Sequence, residues 1–167
     1  QHQRLLRAQH FGVYEGSPYL IMPYCQNGSL TRLLVNKNHI LPEIQLAKII
    51  LQVTEGLEYL HRKGIVHQDI KPDNILITPD EGLILVDFGS AKQNRQHNIN
   101  STRFFTEAYA APEIMVGGEV GPESDVFELG MILYEMLTGE LPPASLTRIV
   151  EGDQWTPDVL DPPWCSL

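Results

Sequence analysis

An aspartate, a lysine and an asparagine fall within six residues at Asp69, Lys71 and Asn74, and a second aspartate, Asp87, follows the apolar run Leu83-Ile84-Leu85-Val86. Together they supply a base, a cation and two oxygen ligands for a metal. That inventory suits phosphoryl transfer, in which a protein does little covalent work: it aligns a hydroxyl and neutralises phosphate oxygens through magnesium and an ammonium group. A lone aspartate in a turn is usually structural or solvated, so the reading rests on the whole set and on what holds it together.

Elements of the right kind surround these groups. Ile75-Leu76-Ile77 and Leu83 to Val86, both rich in β-branched residues, flank Thr78-Pro79-Asp80-Glu81-Gly82 and predict a hairpin that brings Asp87 back beside Asp69. Upstream, Leu46, Ile49, Ile50, Val53, Leu57 and Leu60 recur at three-to-four spacing after Pro42, with Gly64 where a C-terminal cap belongs, which predicts a long helix. Phe11 to Tyr14 and Tyr19 to Met22, around the turn Glu15-Gly16-Ser17-Pro18, predict a first hairpin, ended by Pro23 because its nitrogen donates no hydrogen bond. Asn27-Gly28-Ser29 offers a turn and an N-cap for a short helix over Leu30 to Leu34. Residues 91–106 are polar with little periodicity and predict a long irregular loop, of a length usually tied to function. Ser124 then reads as the N-cap of a helix whose apolar positions, from Val126 and Phe127 to Met136 and Leu137, cover most of its circumference before Gly139. Such a helix is expected to be buried all round.

Length and composition bound the rest. At 167 residues and 43% hydrophobic content the chain is long enough for one domain with a sizeable core. A net charge of −9, with lysines and arginines scattered, leaves no basic patch and argues against nucleic acid as a partner. Cys25 and Cys165 form neither a metal-spaced pair nor a disulfide framework, which fits a reducing, cytoplasmic setting. No run reaches the roughly 18 apolar residues that a spanning helix needs, and no charged-then-apolar leader precedes the fold. The chain opens Gln1-His2-Gln3-Arg4 without a methionine and closes Cys165-Ser166-Leu167, so it reads as an excerpt of a longer protein whose remainder has room for a membrane anchor.

Three blocks in order, His67-Gln68-Asp69-Ile70-Lys71-Pro72-Asp73-Asn74, Asp87-Phe88-Gly89 and Ala111-Pro112-Glu113, resemble the signatures of the eukaryotic-type protein kinase family, with wording closest to bacterial members. The resemblance implies an α+β fold: a protein-kinase-like large lobe, mainly helical with two β-hairpins, with the small lobe mostly absent. Residues 1–25 would be the remnant of the small lobe and hinge, and residues 26–167 the large lobe, truncated before its last helices. It implies ATP and Mg2+ as cofactors and protein Ser/Thr hydroxyls as acceptors, because Lys71 stands where serine/threonine kinases carry lysine. Asp69 would orient the acceptor hydroxyl and take its proton, Lys71 would reach the transferred phosphoryl, and Asn74 and Asp87 would bind the metal. Thr106 would hydrogen-bond Asp69 and Lys71, with Tyr109 its partner in the substrate-facing loop. For adenine, Met22 would control access behind the base, Pro23 and Cys25 would offer a carbonyl and an amide, and Leu76 would form an apolar floor. His67 would brace the loop, and Asp125 would accept hydrogen bonds from its backbone.

Departures from the family pattern are equally specific. Gln68 replaces the arginine that in many kinases pairs with a phosphorylated loop, so control through Ser101 or Thr102 lacks its usual partner. No Gly-x-Gly-x-x-Gly and no strand lysine precede the hinge, and the chain is expected to stop before the last helices of the large lobe, where the family keeps the arginine that pairs with Glu113. A fragment of this kind is expected to be inactive or weak alone. The alternative is a pseudokinase or regulatory binding module that keeps the fold. A small-molecule phosphotransferase shares the aspartate and asparagine, but Lys71 and Ala111-Pro112-Glu113 argue against it.

Overall fold

The computed structural model describes residues 2–36, 41–80, 82–87 and 107–151. The expected loop over residues 91–106, Phe88 and Gly89, Ser101, Thr102, Thr106 and Cys165 lie outside the described residues.

Strands β1 (His10–Tyr14) and β2 (Ser17–Ile21) pair antiparallel with Tyr14 opposite Ser17. Their turn is therefore two residues, Glu15 and Gly16, both at positive φ (48° and 80°), the pairing that matches the twist of the flanking strands. Ser17 and Pro18, expected in the turn, belong to β2 instead. Pro18 is tolerated there because β2 is an edge strand with no neighbour on its far side among the described residues.

After the turn at Gly28 (φ 78°), α1 (Leu30–Asn36) buries Leu30 and Leu34 completely. Helix α2 (Glu43–His61) follows the predicted periodicity: Leu46, Ile49, Val53, Leu57 and Leu60 face the core, with Ile50 partly buried at its edge. Gly64, at φ 69°, returns its amide to the His61 carbonyl at 2.9 Å and closes the helix.

A 3-10 turn at Pro72–Asn74 leads into β3 (Ile75–Ile77), which pairs with β4 (Leu83–Leu85) in the register Ile75↔Leu85. The segment after His2 runs along the other edge of β4, where the Leu85 amide donates to the Arg4 carbonyl and the Leu6 amide to the Leu85 carbonyl. Helix α2 packs against both β4 and the later helix α4 (Pro122–Thr138). Between them, after a helical turn at residues 107–109, comes the short α3 (Pro112–Val116), and α5 (Ser145–Glu151) packs against α3. The described residues thus form a mainly helical fold with two small antiparallel hairpins, as expected.

Two expectations for α4 need correction. Ser124 is not its N-cap: Pro122 occupies the first turn, where a missing N–H costs nothing, so the helix starts earlier with Gly121 as cap. Ser124 is buried and its hydroxyl donates to Glu113 Oε1. Nor is α4 buried all round, since Val126 is 61% and Leu137 41% exposed. Its covered face carries acids among the apolar residues, with Asp125, Glu128 and Glu135 beside Leu129, Ile132 and Met136.

Candidate active site

The run from Val66 to Asn74 is an irregular segment held on a rigid floor. Asp125, fully buried on α4, accepts the backbone amides of His67 (2.9 Å) and Gln68 (2.8 Å) on its two oxygens. Its Oδ2 also contacts His61 Nε2, at the end of α2, at 2.7 Å. Gln68 sits at φ 67°, a left-handed conformation that costs a non-glycine residue about 1 kcal/mol or more. The two flanking contacts to Asp125 hold it there. The turn this creates aims Asp69 inward and lets the chain re-enter the core at Ile70, which is fully buried.

Three of the predicted residues are brought together. Lys71 Nζ lies 3.0 Å from Asp69 Oδ2 and 3.2 Å from Oδ1. The 3-10 turn, started by Pro72 at its first position, returns the Asn74 side chain to Asp69: Nδ2 donates to the Asp69 carbonyl at 2.8 Å and to Oδ2 at 3.0 Å. Because the amide nitrogen faces these acceptors, Asn74 presents its carbonyl oxygen as the atom available to a cation. Asp69 and Asn74 are buried; Lys71 is half-buried.

Asp87 is fixed through its neighbour. The Val86 amide donates to the Asn74 carbonyl at 3.0 Å, and His67 Nε2 donates to the Val86 carbonyl at 3.0 Å, so the strand end is tied to the loop from both sides. Asp87 itself is exposed, at φ 64°, a region that aspartate enters more readily than most residues.

His67 is fully buried, and burial pushes its pKa below the ordinary histidine value although Asp125, the Val86 carbonyl, Asp69 and Asp87 all pull it upward. It is therefore a neutral ring whose Nε2 carries the proton, a tie between loop and strand rather than a base. The expectation that it braces the loop is met, as is the one that Asp125 accepts the loop's amides.

The residues expected on the adenine side come from the segment after β2 and from β3. Met22 and Pro23 are exposed beyond the end of β2, while Cys25 is half-buried, its carbonyl accepting the Gly28 amide at 3.0 Å. Leu76 lies in β3 and bridges Ser29, and the Ile77 amide donates to the Gly28 carbonyl at 2.9 Å, which docks the turn after Cys25 on β3. A cavity of about 700 Å³ between the N-terminal segment and the end of α2, lined by Leu5, Leu6, Tyr59, Leu60 and Ile65, lies away from all these groups.

Two supporting acids were not anticipated. Glu128, nearly fully buried, accepts the Ile70 amide at 2.7 Å. Glu135, equally buried, accepts the Tyr109 phenol at 2.5 Å. Burial first and then Glu135 raise the Tyr109 pKa far above the ordinary tyrosine value. The available signal was an acid at the third position after Asp125, on the same face of an otherwise apolar helix, since a buried carboxylate needs donors.

The family model described as "Protein kinase domain" matches residues 1–154. Serine/threonine-protein kinase STE20 of Eremothecium gossypii is 38% identical over 131 residues, covering 78% of this chain and 13% of that protein. Serine/threonine-protein kinase PknL of Mycobacterium tuberculosis is 39% identical over 127 residues, 75% of this chain and 32% of that protein. Serine/threonine-protein kinase CST20 of Candida albicans is 36% identical over 157 residues, 90% of this chain and 12% of that protein. The chain therefore spans between about an eighth and a third of the length of these relatives. With a fold of the expected kind and the loop residues gathered on α4, a match across nearly the whole chain means that this protein belongs to the protein kinase domain family.

Proposed function

We propose that this chain is the catalytic part of a serine/threonine protein kinase, transferring the γ-phosphoryl of ATP to Ser/Thr hydroxyls of a protein substrate in the cytoplasm. In this reading residues 1–25 contribute the edge of the small lobe and the hinge, and residues 26–167 the large lobe. The observation that carries it is the cluster of Asp69, Lys71 and Asn74 within hydrogen-bonding distance, with Asp87 tied to it through Val86.

The donor set fits magnesium-ATP. The Asn74 carbonyl oxygen and the Asp87 carboxylate are hard oxygen donors, few in number, as suits an ion that keeps waters and takes further ligands from phosphates. Among the described residues no cluster of three or more His, Cys, Asp or Glu offers an all-protein metal cage. Bound magnesium-ATP supplies the transferable phosphoryl group and the neutralisation of its oxygens. Asp69 receives the acceptor hydroxyl's proton at a carboxylate whose orientation Lys71 and Asn74 hold. Lys71 places its ammonium beside the base, where it would offset the negative charge of the transferred phosphoryl group. Met22, Pro23, Cys25 and Leu76 take the adenine side, and Thr106 joins Asp69 and Lys71 from the substrate side.

The test follows labelled phosphate from ATP to a generic protein substrate, using the full-length protein and its Asp87→Ala variant. Labelling by the wild type and its loss in the variant support the reading. Equal labelling in both removes Asp87 from the metal site, and none in the wild type favours the binding-module alternative.

A further inference from the structure

Glu128 occupies a place that neither the chemistry nor the Asp125 contacts require. Asp125 and Glu128 are three residues apart, so they share one face of α4. Asp125 takes the amides of residues 67 and 68, before the base; Glu128 takes the amide of Ile70, directly after it. The peptide unit joining Asp69 to Ile70 is consequently held at both ends. Its carbonyl accepts Asn74 Nδ2 at 2.8 Å, and its N–H donates to Glu128 Oε2 at 2.7 Å. Turning that plane would swing the Asp69 side chain on one side and the chain leading to Lys71 on the other, against a Lys71–Asp69 contact of only 3.0 Å. Ile70 is fully buried and Glu128 is 2% exposed, so no solvent replaces the bond if it is lost.

We infer that Glu128 is a positioning residue for phosphoryl transfer: its carboxylate oxygen fixes the Asp69–Ile70 peptide plane and thereby the register between the base and Lys71. The inference rests on the proposed function for its kinetic consequence, while the clamp itself is independent of it. Reach, more than charge, is what the contact needs. Glutamine at this position keeps an oxygen at the same distance from the backbone; aspartate keeps the charge but falls one methylene short.

The experiment compares Glu128→Gln, Glu128→Asp and Glu128→Ala in the full-length protein, reading kcat, KM for magnesium-ATP and amide hydrogen exchange at Ile70. Alanine and aspartate variants are expected to lose roughly ten- to a hundredfold in kcat with KM for magnesium-ATP within about twofold, the pattern of a displaced reacting group. The glutamine variant is expected to stay within a few fold of wild type. Exchange at Ile70 speeds up in the alanine and aspartate variants only, with the α2 core amides of Val53 and Leu57 unchanged. The inference is overturned if Ile70 exchange is the same in wild type and alanine variant, if glutamine fails as badly as alanine, or if kcat and KM change together. A wild type that transfers no phosphate refutes the proposed function, and the exchange measurement still decides whether Glu128 holds the plane.

Discussion

Replacing Asp125 by asparagine exchanges one carboxylate oxygen for an NH2 group and should cost a large part of the protein's stability. The carboxylate has no exposed surface and collects three donors, the amides of His67 and Gln68 at 2.9 and 2.8 Å and His61 Nε2 at 2.7 Å. Asparagine keeps one oxygen, which can satisfy one backbone amide. Its NH2 group then faces a second donor, leaving one buried N–H unsatisfied at about 1–3 kcal/mol, and the remaining bond loses its charge assistance, about 1 kcal/mol more. His61 is 17% exposed at its side chain and can turn to water, so it adds little. The expected loss is therefore about 2–4 kcal/mol, against the 5–15 kcal/mol typical of a domain. Urea titration of wild type and variant measures it as a shift in midpoint at constant slope. His61→Gln, by contrast, should cost less than about 1 kcal/mol. A loss below about 0.5 kcal/mol for Asp125→Asn with unchanged slope would refute the argument that α4 anchors the loop through this carboxylate.

His67 is held neutral in the folded protein, with its pKa depressed mainly by burial. Below about pH 6.5 the unfolded chain takes up a proton that the folded one refuses, so stability falls as pH drops through that value, by at most about 1.4 kcal/mol per unit. His67→Gln, which keeps a donor for the Val86 carbonyl, should flatten this slope in urea titrations between pH 5 and 7; an unchanged slope assigns the effect elsewhere. Tyr109 shows the opposite linkage. Its folded pKa is raised, so above about pH 10 the unfolded state loses a proton that the folded state keeps, and stability declines with rising pH. Tyr109→Phe should abolish that alkaline decline while costing about 1–3 kcal/mol at neutral pH through the lost bond to Glu135.

The elements that carry their own local signal were legible in the sequence. The five buried leucine, isoleucine and valine side chains of α2 share one helical face, and Gly64 stops the helix where a left-handed residue is needed. The β3–β4 hairpin was visible because its strands are short apolar runs around a turn, and it brings Val86, the neighbour of Asp87, onto the Asn74 backbone. Boundaries were less legible where one residue can serve two roles. Ser124 is a good cap by type, but Pro122 begins the helix first, and Pro18 reads as a turn residue although an edge strand accepts it. Glu128 and Glu135 were missed for a different reason. A glutamate on a helix ordinarily faces water, and only the fold shows that the donors waiting for these two are the Ile70 amide and the Tyr109 phenol. The nearness of Asp69, Lys71 and Asn74 was legible because they lie within six residues, and the 3-10 turn over Pro72–Asn74, capped by Lys71, returns the asparagine side chain to Asp69.

In the proposed function Asp69, held by Lys71 and Asn74, acts on the acceptor hydroxyl rather than on the nucleotide. Steady-state kinetics of Asp69→Asn in the full-length protein tests it most directly. The expected result is a fall in kcat of roughly a hundredfold or more, with KM for magnesium-ATP within about threefold of wild type. An unchanged kcat, or a variant whose defect lies in ATP binding while turnover survives, would contradict it.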